Sequence, residues 1–510
     1  MTGLPLLNVR DFWENGVGKW PRQTAVIGAG RAYTYGEADA IIRRLRGHLA
    51  AHGLAKGDRI AMAMPNCVEF YFAYWAAVHL GAIVVPVNTR LKADEMRHVL
   101  GSTESCLCLA HASLWPPVQE ALAGLTCVRE VFGAGFQAEG VTPFEPLLTQ
   151  DAPAPDLPDI AGDDLVLIMH TSGTTGVPKG VVITHENILY NVKNCLVAHS
   201  WRHEDRHLLV VPMFHATALY SMLPGSAYLG STVVIAPEPD LKLILDLIEQ
   251  HRCTTFIGVP MMFHMLTMMP GLAERDLASL KAISYAGSPM PPSTIRRLRQ
   301  RFPGVELRNF FGLSETLSVT HVLPDEDADG RPESIGKVLP DVGMAILDED
   351  GHEVPSGEVG ELCFRRENVT QGYWGRPGLL EESCVGPWFR TGDLALVDAD
   401  GYVYLRGRKK DMIIVGGENV YALEVETALI NHEQIKEVAV VGIPATGVRE
   451  SLGELIKAVV VPEGGARLTA MDVKRYCAEH LTTYKVPHVV EFRDALPRNP
   501  GGKVVKRLLV

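Results

Sequence analysis

Strand-length apolar runs alternate with helix-length runs through roughly the first 400 residues, and this alternation restricts the chain to an α/β fold of mainly parallel sheets covered by helices. Asp58–Met64 puts Ile60, Met62 and Met64 on one face of a strand. An apolar helix follows to Leu80, Gly81 stops it, and Ile83–Val87 reads as a buried strand. The unit recurs: Leu208–Pro212 and Ser231–Ala236 are expected strands flanking a helix over 217–229, and an amphipathic helix over Leu241–Ile248 leads to a strand over Thr254–Val259. The Pro- and Asp-rich stretch 149–163 reads as a surface connection. Beyond about residue 337, short strands and the turn signals Asp348–Gly351 and Asp398–Gly401 indicate a small β subdomain. The last hundred residues or so mix short helices with strands, Val438–Val441 and Ile456–Val461 among them, and no internal repeat is evident. At 510 residues the chain exceeds one hydrophobic core, so two or three folding units are expected.

A net charge of −12 speaks against a general nucleic-acid binder and against attraction to an anionic membrane surface. The N-terminus has no basic start followed by an unbroken apolar stretch, so no signal peptide is expected, and no apolar run approaches the ~20 residues of a spanning helix. Nine cysteines are scattered from Cys67 to Cys477 without a CxxC pair, which fits reduced thiols in a cytoplasmic protein. The sequence is compatible with a homodimer.

The stretch His170–Gly180 reads His-Thr-Ser-Gly-Thr-Thr-Gly-Val-Pro-Lys-Gly and follows the apolar strand Asp164–Met169. Glycine-permitted turns expose successive backbone N–H groups, hydroxyls add donors and Lys179 adds charge, a combination suited to polyphosphate. It is not a Walker A loop, which needs Gly-Lys-Ser/Thr after its spacer. Four further segments extend the hypothesis. Asn309–Glu315 (Asn-Phe-Phe-Gly-Leu-Ser-Glu) offers a ring to stack on a base and a carboxylate for Mg²⁺. Trp388–Asp393 puts an acid after a tight turn, suited to two ribose hydroxyls. Arg406–Asp411 is a charged turn between strand-rich regions, and Leu496–Lys503 presents a lysine on a Gly/Pro-rich loop.

In this order and spacing, these segments resemble the adenylate-forming superfamily of acyl-CoA synthetases, adenylation domains and firefly luciferase. The resemblance covers nearly the whole chain, from Tyr33-Thr-Tyr-Gly-Glu37 to Tyr484-Lys-Val-Pro487. It implies an N-terminal adenylation domain over 1–405, a hinge over 406–410 and a small mobile α+β C-terminal domain over 411–510. It further implies ATP and Mg²⁺, with CoA as co-substrate. Carried over by position, Thr171, Ser172, Gly173, Thr174, Thr175, Gly176 and Lys179 clasp the β- and γ-phosphates. Gly287, Ser288, Asn309, Phe310, Phe311 and Gly312 wall the adenine. Ser314 and Glu315 meet the α-phosphate, and Thr174 and Glu315 hold Mg²⁺. Asp393 and Arg408 hold the ribose, Lys410 is the pivot, Lys503 is the catalytic lysine of adenylation, and Gly416 and Gly417 line the pantetheine tunnel. Four positions depart from the family pattern: Phe311 stands for tyrosine, Ser314 for threonine, Ala422 for proline and Ala445 for aspartate.

The implied reaction has two steps, adenylation of a carboxylate and then thioester formation with CoA. The expected acyl pocket is Phe214, His215, Ala216, Thr217, Gly258, Ala286, Phe310, Leu313 and Leu317, with His215 as gate or carboxylate contact. It contains no lysine or arginine for a second carboxylate, which points to a monocarboxylic, mostly apolar acid. Delivery of the adenylate to a carrier-protein phosphopantetheine is the nearer alternative. The chain ends seven residues after Lys503, and no fused carrier is expected. A remoter alternative is a zinc hydrolase, since His203-Glu-Asp-Arg-His207 matches H-E-x-x-H. That motif needs a helix, whereas here the segment runs into a strand and reads as a solvated loop.

Overall fold

The computed structural model describes residues 7–171, 178–287, 290–446, 449, 452–500 and 502–510. Two large sheets dominate the first 340 residues or so. One has seven strands in the order Thr142–Pro143, Glu130–Ala134, Leu107–His111, Arg59–Ala63, Ile83–Pro86, Leu165–Thr171, Lys179–Thr184, parallel except for the last pair. The other has nine, in the order Lys337–Val338, His321–Leu323, Glu306–Phe311, Ala282–Tyr285, Thr255–Gly258, Arg206–Leu209, Thr232–Ile235, Thr24–Gly28, Arg31–Thr34. Its middle is parallel and its two edges antiparallel. Alternation along one strand shows why the parallel sheets need helices on both faces. Ile60 and Met62 enter one apolar cluster, while Ala61 and Ala63 enter another on the opposite side. The helix Val68–His79 is buried on every side between these layers.

Several expected elements are shorter than the sequence pattern suggested. The strand expected over Leu208–Pro212 ends at Leu209, because the chain beyond it turns out of the sheet and Pro212 has no N–H to continue a ladder. The segment Tyr33–Glu37 is a helix start: Thr34 Oγ1 accepts Glu37 N at 3.2 Å and a Glu37 carboxylate oxygen accepts Thr34 N at 2.8 Å, closing a capping box on the helix Tyr35–Ala51.

A five-stranded antiparallel sheet follows, including Gly360–Arg365, Trp388–Val397 and Val403–Arg408. After it come the hairpin Met412–Val415/Glu418–Tyr421 and a three-stranded sheet of Ile435–Pro444, Glu454–Pro462 and Val489–Phe492, packed with the helices Ala422–Ile430 and Ala470–His480. Among the described residues, the apolar clusters of the first 405 positions take in nothing later, and those of the last hundred take in nothing before Ile413. The two portions meet at the strand Val403–Arg408, which packs on the helix Ala422–Ile430, and through polar contacts. Asn88 Nδ2 donates to the Pro500 carbonyl at 3.4 Å, and His264 Nε2 lies 3.9 Å from Glu463.

Candidate active site

Strand order reverses at Arg59–Ala63 in one sheet and at Arg206–Leu209 in the other, and ligands of α/β sheets bind in the crevices such reversals open at the carboxyl ends. Asn66, just past the first of these strands, holds the loop past the second. Its Nδ2 donates to the carbonyls of Val211 (3.1 Å) and Ala236 (3.2 Å), and its Oδ1 accepts Met213 N at 2.7 Å. This fixes the segment Val211–Thr217, from which a π-helical turn, Thr217–Met222, departs. Such turns are frequent at functional sites.

The strands Leu165–Thr171 and Lys179–Thr184 pair with Thr171 opposite Lys179, so the two ends of the expected phosphate loop are held side by side. Ser172, Gly173, Thr174, Thr175 and Gly176, and Ser288 elsewhere, lie outside the described residues. Lys179 sits 5.4 Å above the ring of Tyr373. Tyr373 donates its hydroxyl to Glu315 Oε1 at 3.1 Å, Trp374 N donates to the Gly180 carbonyl at 2.7 Å, and Thr370 N donates to the Glu315 carbonyl at 2.7 Å. The stretch 370–374 thus stitches the phosphate hairpin to the acidic turn. Its only local signal was a glycine followed by two aromatics, Gly372-Tyr373-Trp374.

The neighbouring parallel strands Ala282–Tyr285 and Glu306–Phe311 pair with Tyr285 opposite Asn309, so Ala286–Gly287 and Phe310–Gly312 emerge side by side. Gly287 adopts φ +89 and a Cβ there would meet nothing within 4 Å. Asn309 is buried, with its amide occupied by the Ser334 carbonyl at 3.0 Å, so that side chain is structural. Phe310 turns inward, edge-on to His199 at 4.9 Å, whereas Phe311 keeps part of its ring accessible. A Cβ on Gly312 would overlap the Ser318 carbonyl oxygen, because the chain folds back on itself here. Leu317 and Ser318 adopt φ 61 and 90, Ser318 N donates to the Leu313 carbonyl at 3.0 Å, and Leu313 N donates to Thr316 Oγ1 at 2.8 Å. The fold-back puts Ser314 and Glu315 on one tight turn.

Asp393 and Arg408 face each other across paired strands, and Arg408 Nε lies 2.7 Å from Asp393 Oδ1. The turn before Asp393 is shaped by buried Glu361, which accepts Gly392 N at 2.9 Å and pairs with Arg390 at 3.1 Å. Lys503 projects from a loop closed by Lys503 N donating to Asn499 Oδ1 and Asn499 N donating to the Lys503 carbonyl, both at 2.9 Å. Burial, then the Arg408 charge, holds the Lys503 ammonium below the usual lysine range, opposed by Asp393 and Glu315. Burial raises Asp393, opposed first by Arg408 and then by Lys503. Burial, then Lys503, lowers His215. Asp393 and Arg408 are in contact, and Glu315 and His215 lie with them within electrostatic reach of Lys503. His215 and Lys503 are both exposed to solvent.

The glycines expected to line the pantetheine tunnel after domain rotation and the expected pivot lie on turns of their own. Gly416 and Gly417 form the exposed turn of the hairpin Met412–Tyr421, tied by Gly416 N to the Leu452 carbonyl at 2.8 Å, and join none of the contacts described above. Lys410 is exposed on a single turn, Lys409–Asp411, anchored on one side by Lys409 to Glu349 at 3.0 Å and on the other by Asp411 to Lys506 at 3.9 Å.

The metal motif is overturned. His203 lies in a turn bonded to the Leu229 carbonyl at 2.8 Å, and His207 lies on a strand, its two ring nitrogens engaged by Thr255 Oγ1 (2.8 Å) and Ser231 Oγ (3.0 Å). With no helix to align them and no free lone pair on His207, the pair cannot chelate. The segment is not a solvated loop either, since Asp205 and His207 are buried. Asp205 accepts Arg202 N and the Thr254 hydroxyl, both at 2.8 Å.

Among the described residues, no helix is long and apolar enough to cross a membrane. The family model of AMP-binding enzymes matches residues 13–374, and that of the AMP-binding enzyme C-terminal domain matches 424–503. A long-chain-fatty-acid–CoA ligase, FadD13, of Mycobacterium tuberculosis is 35% identical over 93% of this chain and 92% of its own length. A feruloyl-CoA synthase of Amycolatopsis sp is 35% identical over 96% of this chain and 98% of its own. The fold superposes on o-succinylbenzoate CoA synthetase of Bacillus subtilis in complex with ATP and magnesium with a TM-score of 0.87, at 28% identity and covering 98% of both chains. The chain belongs to the AMP-binding family of adenylate-forming enzymes, and it is acyl-CoA synthetase-like along almost its full length.

Proposed function

We propose that this enzyme converts a monocarboxylic acid, ATP and CoA into acyl-CoA, AMP and pyrophosphate, with an adenylation domain over 1–405, a hinge over 406–410 and a mobile C-terminal domain over 411–510. The observation that carries the proposal is the convergence of Lys503, from the C-terminal portion, on Asp393, Arg408 and Glu315. In the first step a carboxylate oxygen of the acid attacks the α-phosphorus and pyrophosphate leaves. Two anions must approach each other, so a cation placed between them lowers the barrier. Lys503 fills that role, and Lys179 with the 171–176 loop holds the departing phosphates. Asp393 accepts from the ribose hydroxyls, and Arg408 keeps that carboxylate ionised and aimed. Glu315, oriented by Tyr373, fits a Mg²⁺ ion together with Thr174, and the ion would neutralise phosphate oxygens.

In the second step the CoA sulfur attacks the acyl carbon and AMP leaves. In this reading Lys503 would stand on the approach to that carbon, and a rotation about Lys410 would withdraw it and bring Gly416 and Gly417 in. The proposed pocket (Phe214, Ala216, Thr217, Gly258, Ala286, Phe310, Leu313 and Leu317, gated by His215) has no cation for a second carboxylate. A mostly apolar acid fits it, in keeping with relatives that act on fatty acids and ferulate. ATP, CoA and nine cysteines outside any disulfide suit a cytoplasmic enzyme. The test is product analysis with ATP, Mg²⁺, CoA and a panel of fatty and aromatic acids. Acid-dependent AMP and acyl-CoA are expected, and accumulation of acyl-AMP with CoA left unconsumed would refute CoA as the acceptor.

A further inference from the structure

The strand pair that ends at Thr171 and Lys179 has two faces, and the proposed chemistry uses one of them. Residues directly opposite in an antiparallel pair point to the same side, so Thr171 and Lys179 share one face and His170 and Gly180 share the other. The packing agrees. Met169 and Val181 belong to the apolar cluster on which Tyr373 packs, whereas Ile168 belongs to the cluster on which Trp374 packs. The two neighbouring aromatics therefore lie on opposite faces of the strand pair.

On the face away from Lys179 is a cavity of about 130 Å³, lined among others by His98 and Ser102 of the helix Ala93–Ser102, by His170 and Gly180, and by Trp374 and Arg376. That is room for a small polyatomic ligand rather than a single water. Glycine at 180 keeps the space beside His170 open, since a Cβ there would stand 3.3 Å from His170 Nε2. The Trp374 wall is fixed: its Nε1 donates to the Ser102 carbonyl at 3.1 Å, and the Arg59 guanidinium lies 5.6 Å from its ring. Arg59 is in turn held by the carbonyls of Thr103 (2.7 Å) and Glu104 (3.1 Å).

The titratable groups that line the cavity are two histidines and an arginine, with no carboxylate among them. None of the three side chains makes a hydrogen bond or ion pair among the described residues. Burial, then His98, pushes the His170 pKa down to about 4, and no carboxylate opposes them. In a chain with 60 acidic against 48 basic residues, a wholly basic lining with no internal counter-charge is set up for an anion from outside.

We propose that this cavity is an oxyanion site separate from the phosphate loop: it takes a tetrahedral phosphate, free or carried by a small ester, with Arg376 as the paired cation and the His98 and His170 rings as N–H donors. An occupant would tie the helix, the strand pair and the segment 374–376 together at the root of the phosphate loop. The assignment requires no particular acid or thiol and stands apart from the reaction proposed above.

The test is equilibrium dialysis of the full chain against labelled orthophosphate and, separately, glycerol 3-phosphate, at fixed ionic strength. Lys179→Ala removes the cation of the opposite face and should still bind one equivalent of at least one of the two with wild-type affinity. Adding Arg376→Gln should weaken that binding by about tenfold or more, the size expected of one charge-assisted hydrogen bond, and adding His98→Phe by about threefold. Arg97→Gln is the control, because Arg97 is next to His98 on the same helix but spends its guanidinium on the Ala121 and Glu120 carbonyls. It removes the same charge and should leave affinity within about twofold. Preference for orthophosphate or for the ester supports the site and identifies the source. No binding of either probe by Lys179→Ala would overturn the proposal, as would Arg376→Gln behaving like Arg97→Gln.

Discussion

Replacing Gly312 by alanine would set a methyl carbon on top of the Ser318 carbonyl oxygen and 3.1 Å from Val319 Cα, where real Cβ atoms essentially never approach closer than 3.0 Å. Gly312 does not have positive φ, so alanine meets no backbone penalty and the effect is purely steric. Relief requires Gly312 or the Ser318 carbonyl to retreat by about 1 Å or more. The turn between them cannot absorb this, being closed by Ser318 N on the Leu313 carbonyl and Leu313 N on Thr316 Oγ1. The displacement passes to Ser314 and Glu315. A shift of about 1 Å in positioning groups costs on the order of 10² in rate, and overpacking of this kind costs about 1–3 kcal/mol in stability. ATP–pyrophosphate exchange with an accepted acid, alongside calorimetric melting, measures both. Exchange should fall about a hundredfold while the variant stays folded at assay temperature. Exchange within about threefold of wild type would refute the claim that this turn holds the reacting phosphate.

Lys503→Ala should lower adenylation by about 10²–10³ while thioester formation from supplied acyl-adenylate stays within about tenfold, and equal loss in both half-reactions would reject the role. Because Lys503 is held below the usual lysine range and is the cation of the proposed mechanism, the alkaline limb of adenylation should lie below that of a free lysine and move upward in Lys503→Arg. Asp393→Ala should raise the KM for ATP, and the further loss on changing to 2′-deoxy-ATP should be small in the variant; a full additive penalty would detach Asp393 from the ribose. Asn66→Ala leaves Met213 N without its acceptor and frees the Val211–Thr217 segment, so stability should drop by about 1–3 kcal/mol and the KM for the acid should rise; an unchanged KM would confine Asn66 to scaffolding. Lys410→Pro, by fixing φ near −65°, should leave pyrophosphate exchange intact and let acyl-AMP accumulate, whereas wild-type acyl-CoA formation would remove Lys410 as the pivot.

The parts of the proposed site that the sequence suggests are those whose chemistry is carried by residue type in local order. Lys503 on a Gly/Pro loop and Asp393 after a turn stand out within a few residues, as does the Thr/Ser/Gly run before Lys179, most of which lies outside the described residues. Asn66, Tyr373 and Glu361 do not. Asn66 reaches loops 145 and 170 residues away, and Tyr373 reaches Glu315 across 58, so their meaning exists only once the sheets are assembled. Local pattern also misled at His203–His207. Charged residues suggested solvent, yet tertiary burial holds His207 neutral, its pKa pushed down to about 4, between two hydroxyls. The parallel sheets were legible because both faces are buried and the strands are therefore apolar throughout. Strand ends were less so, since Val210–Pro212 leaves its sheet for the crevice lip while remaining as apolar as the strand before it.

The segregation of apolar clusters on either side of residues 405–413 bears on the thermodynamics of the proposed rotation. Contacts across the seam, such as Asn88 with Pro500 and His264 with Glu463, are polar and can be traded for water at near parity. Swinging the small unit away would therefore uncover little hydrocarbon, and heat-capacity changes in proteins come chiefly from uncovered hydrocarbon. Under the proposed rotation, the equilibrium between the two orientations should then shift only gently with temperature. Bound nucleotide and acyl-adenylate, rather than warmth or cold, would decide which orientation the enzyme occupies.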